Sequence, residues 1–219
     1  MNQPPLRADE VIARHDGALA RADWPRGEAA VAETPVLNVW HWVLVNHRCN
    51  SLLWAEEDLA RRTTVSADEI AANKRAIDGH NQARNDATER VDELLLIALG
   101  LVDEASARSD APASTAPAGA RLNSETAGAM VDRMSILALK VHAMRGQTLR
   151  EDVSEAHREA SRGRLARLLD QRRDLGACLD ALLADAAAGR AYFKVYRQFK
   201  MYNDPRFNPA LVAEAKAKR

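Results

Sequence analysis

Three stretches of the chain carry polar side chains at helical spacing, and these side chains are types that bind or transform small polar molecules. In the first stretch, intervals of four, four, three and four residues place five side chains on one helix face. This stripe consists of Asn46, Asn50, Trp54, Glu57 and Arg61, and it is flanked by His47 and Asp58. Amides orient a ligand through hydrogen bonds, carboxylates act as acids or bases, and a tryptophan face stacks on a sugar or a base.

A second stripe follows the next predicted helix at the same kind of spacing, with Arg84 beside it. It consists of Lys74, Asp78, Asn81, Asn85, Glu89 and Asp92. Exposed helix faces favour Lys, Glu, Arg and Gln, whereas an asparagine inside a helix costs roughly 0.5 kcal/mol relative to alanine. The asparagines therefore indicate hydrogen-bonding positions rather than a face that is merely solvated.

The third set of polar side chains lies in a predicted helix whose N-terminal cap is Ser124. Glu125 follows near the positive end of the helix, and Asp132, Arg133 and Lys140 enter an otherwise apolar run. A short carboxylate in such a run must find a partner, since an unpaired buried charge is costly. We expect Asp132 to bridge to the other two stripes. Either a ligand pocket or a structural ion network that fixes helix register would result.

Together the stripes predict a site for a phosphorylated or sugar-containing small molecule. The predicted acid/base groups or metal ligands are Glu57, Asp58, Asp78, Glu89 and Asp132. The predicted substrate-binding residues are His47, Asn50, Trp54, Arg61, Lys74, Asn81, Arg84, Asn85, Glu125, Arg133, Lys140, Lys200 and Tyr202. The alternative from a different functional class is a non-catalytic helical adaptor that docks on a glycosyltransferase, and a homodimer is also open.

Magnesium is the one cofactor that the carboxylates suggest, because hard cations need several oxygen ligands. The residues that could supply them are Glu57, Asp58, Glu89 and Asp92. This layout resembles the acidic helix pairs of all-α nucleotide pyrophosphohydrolases, although the first helix lacks the usual second spaced glutamate. Cations at Arg61, Lys74 and Arg84 could neutralise the same acids without a metal.

Charge and composition exclude several classes of function. The 219 residues contain 31 Lys and Arg and 31 Asp and Glu, so no overall field favours nucleic acid or an anionic membrane. No run of about 18 apolar residues appears, and the N-terminus has no apolar signal core, which predicts no membrane insertion. Cys49 and Cys178 are too few for a disulfide framework and are expected to be small buried hydrophobes. We therefore expect a cytoplasmic protein.

Nearly every segment has a helical period, which predicts an all-α, antiparallel bundle of about four long helices in a single domain over 1–219. The long helices are expected over 34–62, opened by Thr34 and Pro35, over 66–100, opened by a capping box of Ser66 and Glu69, over 124–146, closed by Gly146, and over 149–187. Short helices are expected over 7–22, in the aromatic segment 192–199 and after Pro205. Residues 103–120, rich in Ala, Ser and Pro, predict a flexible loop.

Four motifs in this order resemble a bacterial family known only as a domain of unknown function. The motifs are His47-x-x-Asn50-x-x-x-Trp54-x-x-Glu57-Asp58, Lys74-Arg75-x-Ile77-Asp78-x-x-Asn81, Ser124-Glu125-Thr126-x-Gly128-x-Met130-x-Asp132-Arg133 and Lys200-Met201-Tyr202-Asn203-Asp204-Pro205. The likeness covers residues 36–210. It departs at Ala127, where the family tends to have proline, and at Met134, where leucine is usual. Members are often encoded near cell-envelope glycosyltransferases, so the resemblance implies a sugar or nucleotide-sugar context.

Overall fold

The fold is built almost entirely from helices, as the sequence predicts. In the computed structural model of the protein, residues 5–27, 38–198 and 205–217 are described. In chain order the elements are α1 (Ala8–Leu19), α2 (Val39–Ala60), α3 (Ala67–Ala98), α4 (Glu104–Ala107), β1 (Arg121–Leu122), α5 (Ala127–Leu149), α6 (Glu155–Ala187), β2 (Ala191–Tyr192) and α7 (Pro209–Ala217). The four long helices are α2, α3, α5 and α6, and the all-α class is confirmed.

The caps show why the second and third helices begin where they do. Asn38, not Thr34, caps α2, because its Oδ1 accepts a hydrogen bond from the Trp40 amide at 3.0 Å. The predicted Thr34 and Pro35 lie outside the described residues. The capping box of α3 is confirmed: Ser66 Oγ accepts from the Glu69 amide, and the Glu69 carboxylate accepts from the Ser66 amide.

The predicted bounds of the third and fourth long helices are wrong by a few residues. Thr126, not Ser124, caps α5, and Gly146 lies inside α5, which continues to Leu149. A glycine inside a helix costs only about 1 kcal/mol relative to alanine, which packing along a long hairpin offsets. The chain then turns, and α6 begins at Glu155 because Ser154 caps it through a bond from the His157 amide.

Over the described residues 192–198 of the aromatic segment, no helix forms where the sequence predicts one. Ala191 and Tyr192 form β2 instead, which pairs in parallel with Arg121 and Leu122 of β1. The side chains of Ala191, Phe193 and Val195 are buried, and those between them are not, so burial alternates with the period of extended chain. Alternation at 191, 193 and 195 is the signal that the helical interpretation missed.

The long helices pack as two consecutive pairs around α5. The first pair is α2 with α3, the second is α5 with α6, and α5 also contacts α1, α2 and α3. The largest fully buried apolar side chains include Leu95, Leu96, Met134, Leu179 and Phe193. Because α5 touches four other helices, a polar residue on its inner face can reach α2 and α3 at once.

For the segment 103–120 the sequence predicts a flexible loop. It contains the single turn α4, whose Ala107 is fully buried, and the Thr115 amide donates to the Leu101 carbonyl at 2.8 Å. Its flexibility stays a prediction. Cys49 is buried as expected, whereas Cys178 is exposed on α6, and both thiols are free. Within the described residues, no helix has the length and apolar character needed to cross a membrane.

Candidate functional site

A groove of about 330 Å³ lies between α2, α3 and α5. We call it the central groove. Its walls are formed by Asn50, Leu53, Trp54, Glu57, Asp58, Arg61, Asn81, Arg84, Ile136 and Leu139. Seven of these ten residues belong to the predicted site, and they come from the first stripe, with its flanking Asp58, and from Asn81 and Arg84 of α3. The volume is at the lower end of the range typical of small-molecule sites.

Asp132 of α5 holds the inner wall of the central groove together. Its Oδ1 accepts hydrogen bonds from Asn46 Nδ2 and from Asn50 Nδ2, each at 2.8 Å, and lies 4.0 Å from Arg84 Nε. The predicted bridge from this carboxylate to both neighbouring helices is therefore confirmed. Two amides, rather than a close ion pair, make the shortest contacts, so Asp132 acts first as a positioning residue.

The Asn50 side chain is held in one orientation. Besides Asp132, its Nδ2 group approaches Ser135 Oγ at 3.0 Å and Asn46 Oδ1 at 3.2 Å. All three acceptors lie on the inner side, so the Nδ2 group turns inward. Within the described residues no donor reaches Asn50 Oδ1, and Asn50 lines the groove. Its carbonyl oxygen is therefore available to accept a bond from a ligand.

His47, predicted to bind substrate, lies behind the groove in the core. It is fully buried, and its Nδ1 lies 2.8 Å from Ser135 Oγ. Its ring stacks on His15 with centroids 4.3 Å apart and on Trp24 with centroids 5.3 Å apart. A side chain enclosed on both faces cannot touch a ligand in the central groove, so His47 supports the wall through Ser135.

The two stacked histidines should make folding sensitive to acid. Burial lowers the pKa of His47 from 6.5 to about 4, and it lowers that of His15 well below 6.5. The unfolded chain therefore binds protons below pH 6.5 that the native state does not bind, and stability falls as the pH falls towards 4. Burial raises the pKa of Asp92 from 3.8 to about 7, although hydrogen bonds from Thr126 and Gly128 act to lower it. The native state therefore binds a proton at Asp92 that the unfolded chain does not bind, and this raises stability as the pH falls from 7 towards 4.

We expect His47 alone to remove about 2 kcal/mol of stability between pH 7.5 and pH 5. The measurement is urea unfolding of the wild type and of His47→Leu at pH 7.5 and at pH 5. The difference between the two proteins should shift by that amount in favour of the variant at pH 5. The contribution of Asp92 cancels in this difference. A difference that is the same at both pH values would contradict the burial of a neutral His47.

The four carboxylates suggested for magnesium do not form a cluster. Glu57 pairs with Arg61 at 3.0 Å, and Asp58 lines the groove nearby. Asp92 Oδ1 accepts from the Gly128 amide at 2.6 Å and so caps α5 from α3. Over residues 5–27, 38–198 and 205–217, no three His, Cys, Asp or Glu side chains are arranged to hold a metal ion.

Glu89, the remaining predicted acid of α3, anchors the chain that follows β2. Its carboxylate accepts from Arg197 Nη1 at 2.9 Å and from the Gln198 amide at 3.1 Å. The same Arg197 Nη1 lies 2.5 Å from Glu93 Oε1, and Glu93 also pairs with Arg90. Arg197 further donates to the carbonyl oxygens of residues 107 and 109. Glu89 thus has a structural role away from the central groove.

Close approach of α3 and α5 explains Gly128 at this junction. A Cβ atom built on Gly128 would lie 2.5 Å from the Thr88 carbonyl oxygen and 2.9 Å from Asp92 Cγ. Only glycine leaves space for the backbone of α3 at this distance. The Ala129 amide donates to the Thr126 cap and the Gly128 amide donates to Asp92, so both contacts satisfy amides in the first turn of α5, which begins at Ala127.

The other predicted site residues that the structure describes do not line the central groove. Lys74 and Asp78 pair with each other on an exposed face of α3, and Asn85 accepts from Arg84 Nη2 at 3.2 Å. Lys200 and Tyr202 lie outside the described residues. Glu125, Arg133 and Lys140 line a second, wider groove of about 940 Å³ beside α5 and α6, which we call the α5–α6 groove. There Glu125 Oε1 accepts from Arg133 Nη1 at 2.6 Å.

Several residues that shape the site were not predicted. Ser135 and His15 are fully buried, and Thr88 Oγ1 accepts from Asn46 Nδ2 at 3.1 Å. Asn46 itself was placed in the stripe but not among the site residues. The signal for Ser135 was its position one turn after Asp132 on an otherwise apolar face. The signal for His15 was its spacing of four residues from the buried Val11 of α1.

Comparison with known proteins gives a family and no function. A family model described as "Protein of unknown function (DUF4254)" matches residues 40–195, which is more than half of the chain. This stretch runs from the start of α2 to the segment after β2, so it contains the central groove and the Asp132 contacts. Curated proteins and solved structures give no match. The chain therefore belongs to the DUF4254 family.

Proposed function

We propose that the protein binds a phosphorylated or sugar-containing small molecule in the central groove, either as an enzyme or as a binding protein. One observation carries this proposal: polar side chains of α2 and α3 meet in a groove whose inner wall is held by Asp132 of α5. Surface ion pairs alone would not require a buried asparagine network, since burying polar groups costs free energy unless every group is paired. The buried network supports a built site.

The proposed roles follow from the hydrogen-bonding groups of each side chain that have no partner within the described residues. Asn50 offers a fixed acceptor, and Asn81 offers an amide with no internal hydrogen bond among the described residues. Arg84 Nε is buried without a hydrogen bond within the described part of the chain, so the guanidinium retains donors for an anion or a hydroxyl. Asp58 is the acid/base candidate among the lining residues, because Glu57 is already paired with Arg61.

A thermal-shift screen tests the proposal. Sugars, sugar phosphates and nucleotide sugars would be added to the full chain with and without Mg²⁺. A bound ligand at one hundred times its Kd stabilises the native state by about 2.7 kcal/mol, which for a chain of this size raises Tm by about 5–10 °C. The rise should disappear in Arg84→Ala and Asn81→Ala and persist in Lys74→Ala, whose side chain is exposed on the same helix. A rise that survives both groove variants would place the ligand elsewhere.

A non-catalytic adaptor of a glycosyltransferase is the second candidate. The α5–α6 groove supports it, because this groove is larger and combines apolar side chains such as Ile136 and Leu137 with exposed Arg133 and Lys140. An adaptor would bind its partner through this surface and would show no stabilisation by small molecules. A Mg²⁺-dependent pyrophosphohydrolase-like activity is the third candidate, and the separation of its four carboxylates weighs against it. A cytoplasmic setting is part of the proposal, supported by two free thiols.

A further inference from the structure

The free hydrogen-bonding groups of the central groove are mixed in kind. Asn50 presents an acceptor, because its amide nitrogen is directed to three internal acceptors. Arg84 presents donors, since only its Nη2 makes a hydrogen bond, to Asn85. Asn81 and Asp58 add an amide and a carboxylate that have no internal partner among the described residues. A sugar hydroxyl both donates and accepts, whereas a phosphate oxygen at neutral pH mainly accepts.

The charge of the groove disfavours a phosphate group. Of its four charged lining residues, Glu57 and Arg61 neutralise each other in a pair at 3.0 Å. Asp58 and Arg84 remain, one of each sign. Arg84 is itself 4.0 Å from the Asp132 carboxylate, which offsets part of its charge. A phosphate with nearly two negative charges would therefore lie among acids without a surplus cation.

Trp54 adds an apolar surface at the edge of these polar groups. Its side chain is among the exposed large hydrophobic ones, at 38%, although it lines the groove with Leu53 and Ile136. An exposed tryptophan combines a large flat apolar face with one N–H donor. A pyranose ring has the matching surface, with C–H groups on its faces and hydroxyls around its edge.

We infer that the central groove recognises the hydroxylated ring of a sugar that is uncharged or carries one carboxylate, and not a phosphate group. This inference rests on the proposed function of the groove and narrows its ligand class. Trp54 stacks on the ring, Asn50 and Asp58 accept from hydroxyls, and Arg84 donates to a hydroxyl or to the single carboxylate. Any phosphate of a larger ligand lies outside the groove.

Saturation-transfer NMR on the full chain tests the inference. The probes are methyl glycosides of glucose, galactose, mannose and N-acetylglucosamine, together with glucuronate, glucose 1-phosphate, inorganic phosphate and pyrophosphate. Proton signals report the sugars, and phosphorus line broadening reports the two inorganic ions. We expect at least one neutral sugar or glucuronate to bind, with affinity at least ten-fold weaker in Trp54→Ala and largely retained in Trp54→Phe. Lys74→Ala should bind like the wild type.

Each other outcome overturns a defined part of the account. Binding of phosphate or pyrophosphate that is lost in Arg84→Ala would overturn the sugar inference and leave the groove as an anion site. Tighter binding of glucose 1-phosphate than of methyl glucoside by more than ten-fold would do the same. Absence of binding for every probe would overturn both the inference and the proposed function. Circular dichroism and Tm of each variant show whether it is folded, and Trp54→Phe keeps the test valid if Trp54→Ala unfolds.

Discussion

Replacement of Asp132 by alanine should lower the free energy of unfolding by about 3 kcal/mol. The change removes the charged acceptor of two hydrogen bonds from Asn46 and Asn50, and a hydrogen bond to a charged group contributes about 1.5–3 kcal/mol. Thr88 and Ser135 keep partial contacts with the two amides, so the loss should be smaller than the full sum. Urea unfolding followed by circular dichroism measures it.

Asp78→Ala provides the matched control for this experiment. Asp78 is an exposed aspartate that pairs only with Lys74 on its own helix, and such pairs contribute a few tenths of a kcal/mol. Its loss should stay below about 0.5 kcal/mol. If Asp132→Ala and Asp78→Ala are equally stable, Asp132 does not organise the groove wall. Ligand stabilisation should also vanish in Asp132→Ala and persist in Asp78→Ala.

Arg197→Ala should cost about 3–4 kcal/mol, because it leaves nearly buried carboxylates without a counterion. Glu93 would keep only Arg90, and Glu89 would lose its sole ion pair within the described residues. The carbonyl oxygens of residues 107 and 109 would lose their donor as well. Urea unfolding again gives the measurement, and the variant should still bind groove ligands once conditions favour its native state.

Arg190→Ala is the control for Arg197, since it lies on the same segment but pairs with Asp185 at a mostly exposed position. Its effect should be less than about 1 kcal/mol. Arg197→Lys should fall between the two, because lysine keeps the charge but cannot reach both carboxylates and both carbonyls. Equal stability of the alanine variants at 190 and 197 would contradict a structural role for Arg197.

Helical periodicity and caps are enough to predict the four long helices and several of the side chains that line the central groove. Intervals of three and four residues place side chains on one face of a helix, independently of the tertiary structure. When two such helices pack side by side, their polar faces can line a common groove. Asn50 and Trp54 of α2, Arg61 at the C-terminal end of α2, and Asn81 and Arg84 of α3 therefore line the central groove. The sequence also predicts the Asp132 bridge, because a short acid in an apolar helical run has few possible partners.

Contacts between distant parts of the chain determine the features of the site that the sequence does not predict. At the start of α5, Asp92 of another helix accepts from the Gly128 amide and adds to the local Thr126 cap, a contact that no local pattern contains. Glu89 has the spacing of the α3 stripe, yet its carboxylate pairs with Arg197, which lies more than one hundred residues later in the chain. His15 and His47 meet through the packing of α1 on the bundle. Periodicity assigns a residue to a face but does not say which neighbour covers that face.

The indole N–H signals of the four tryptophans report directly whether a ligand occupies the central groove. In a proton–nitrogen correlation spectrum of the full chain, each of Trp24, Trp40, Trp42 and Trp54 gives one such signal, and Trp54→Phe identifies the last. Titration with the neutral sugars and glucuronate should shift the Trp54 signal and leave the other three in place, because only Trp54 lines the central groove. Shifts of the other indoles while that of Trp54 stays fixed, or no indole shift with any probe, would contradict a ligand site in this groove.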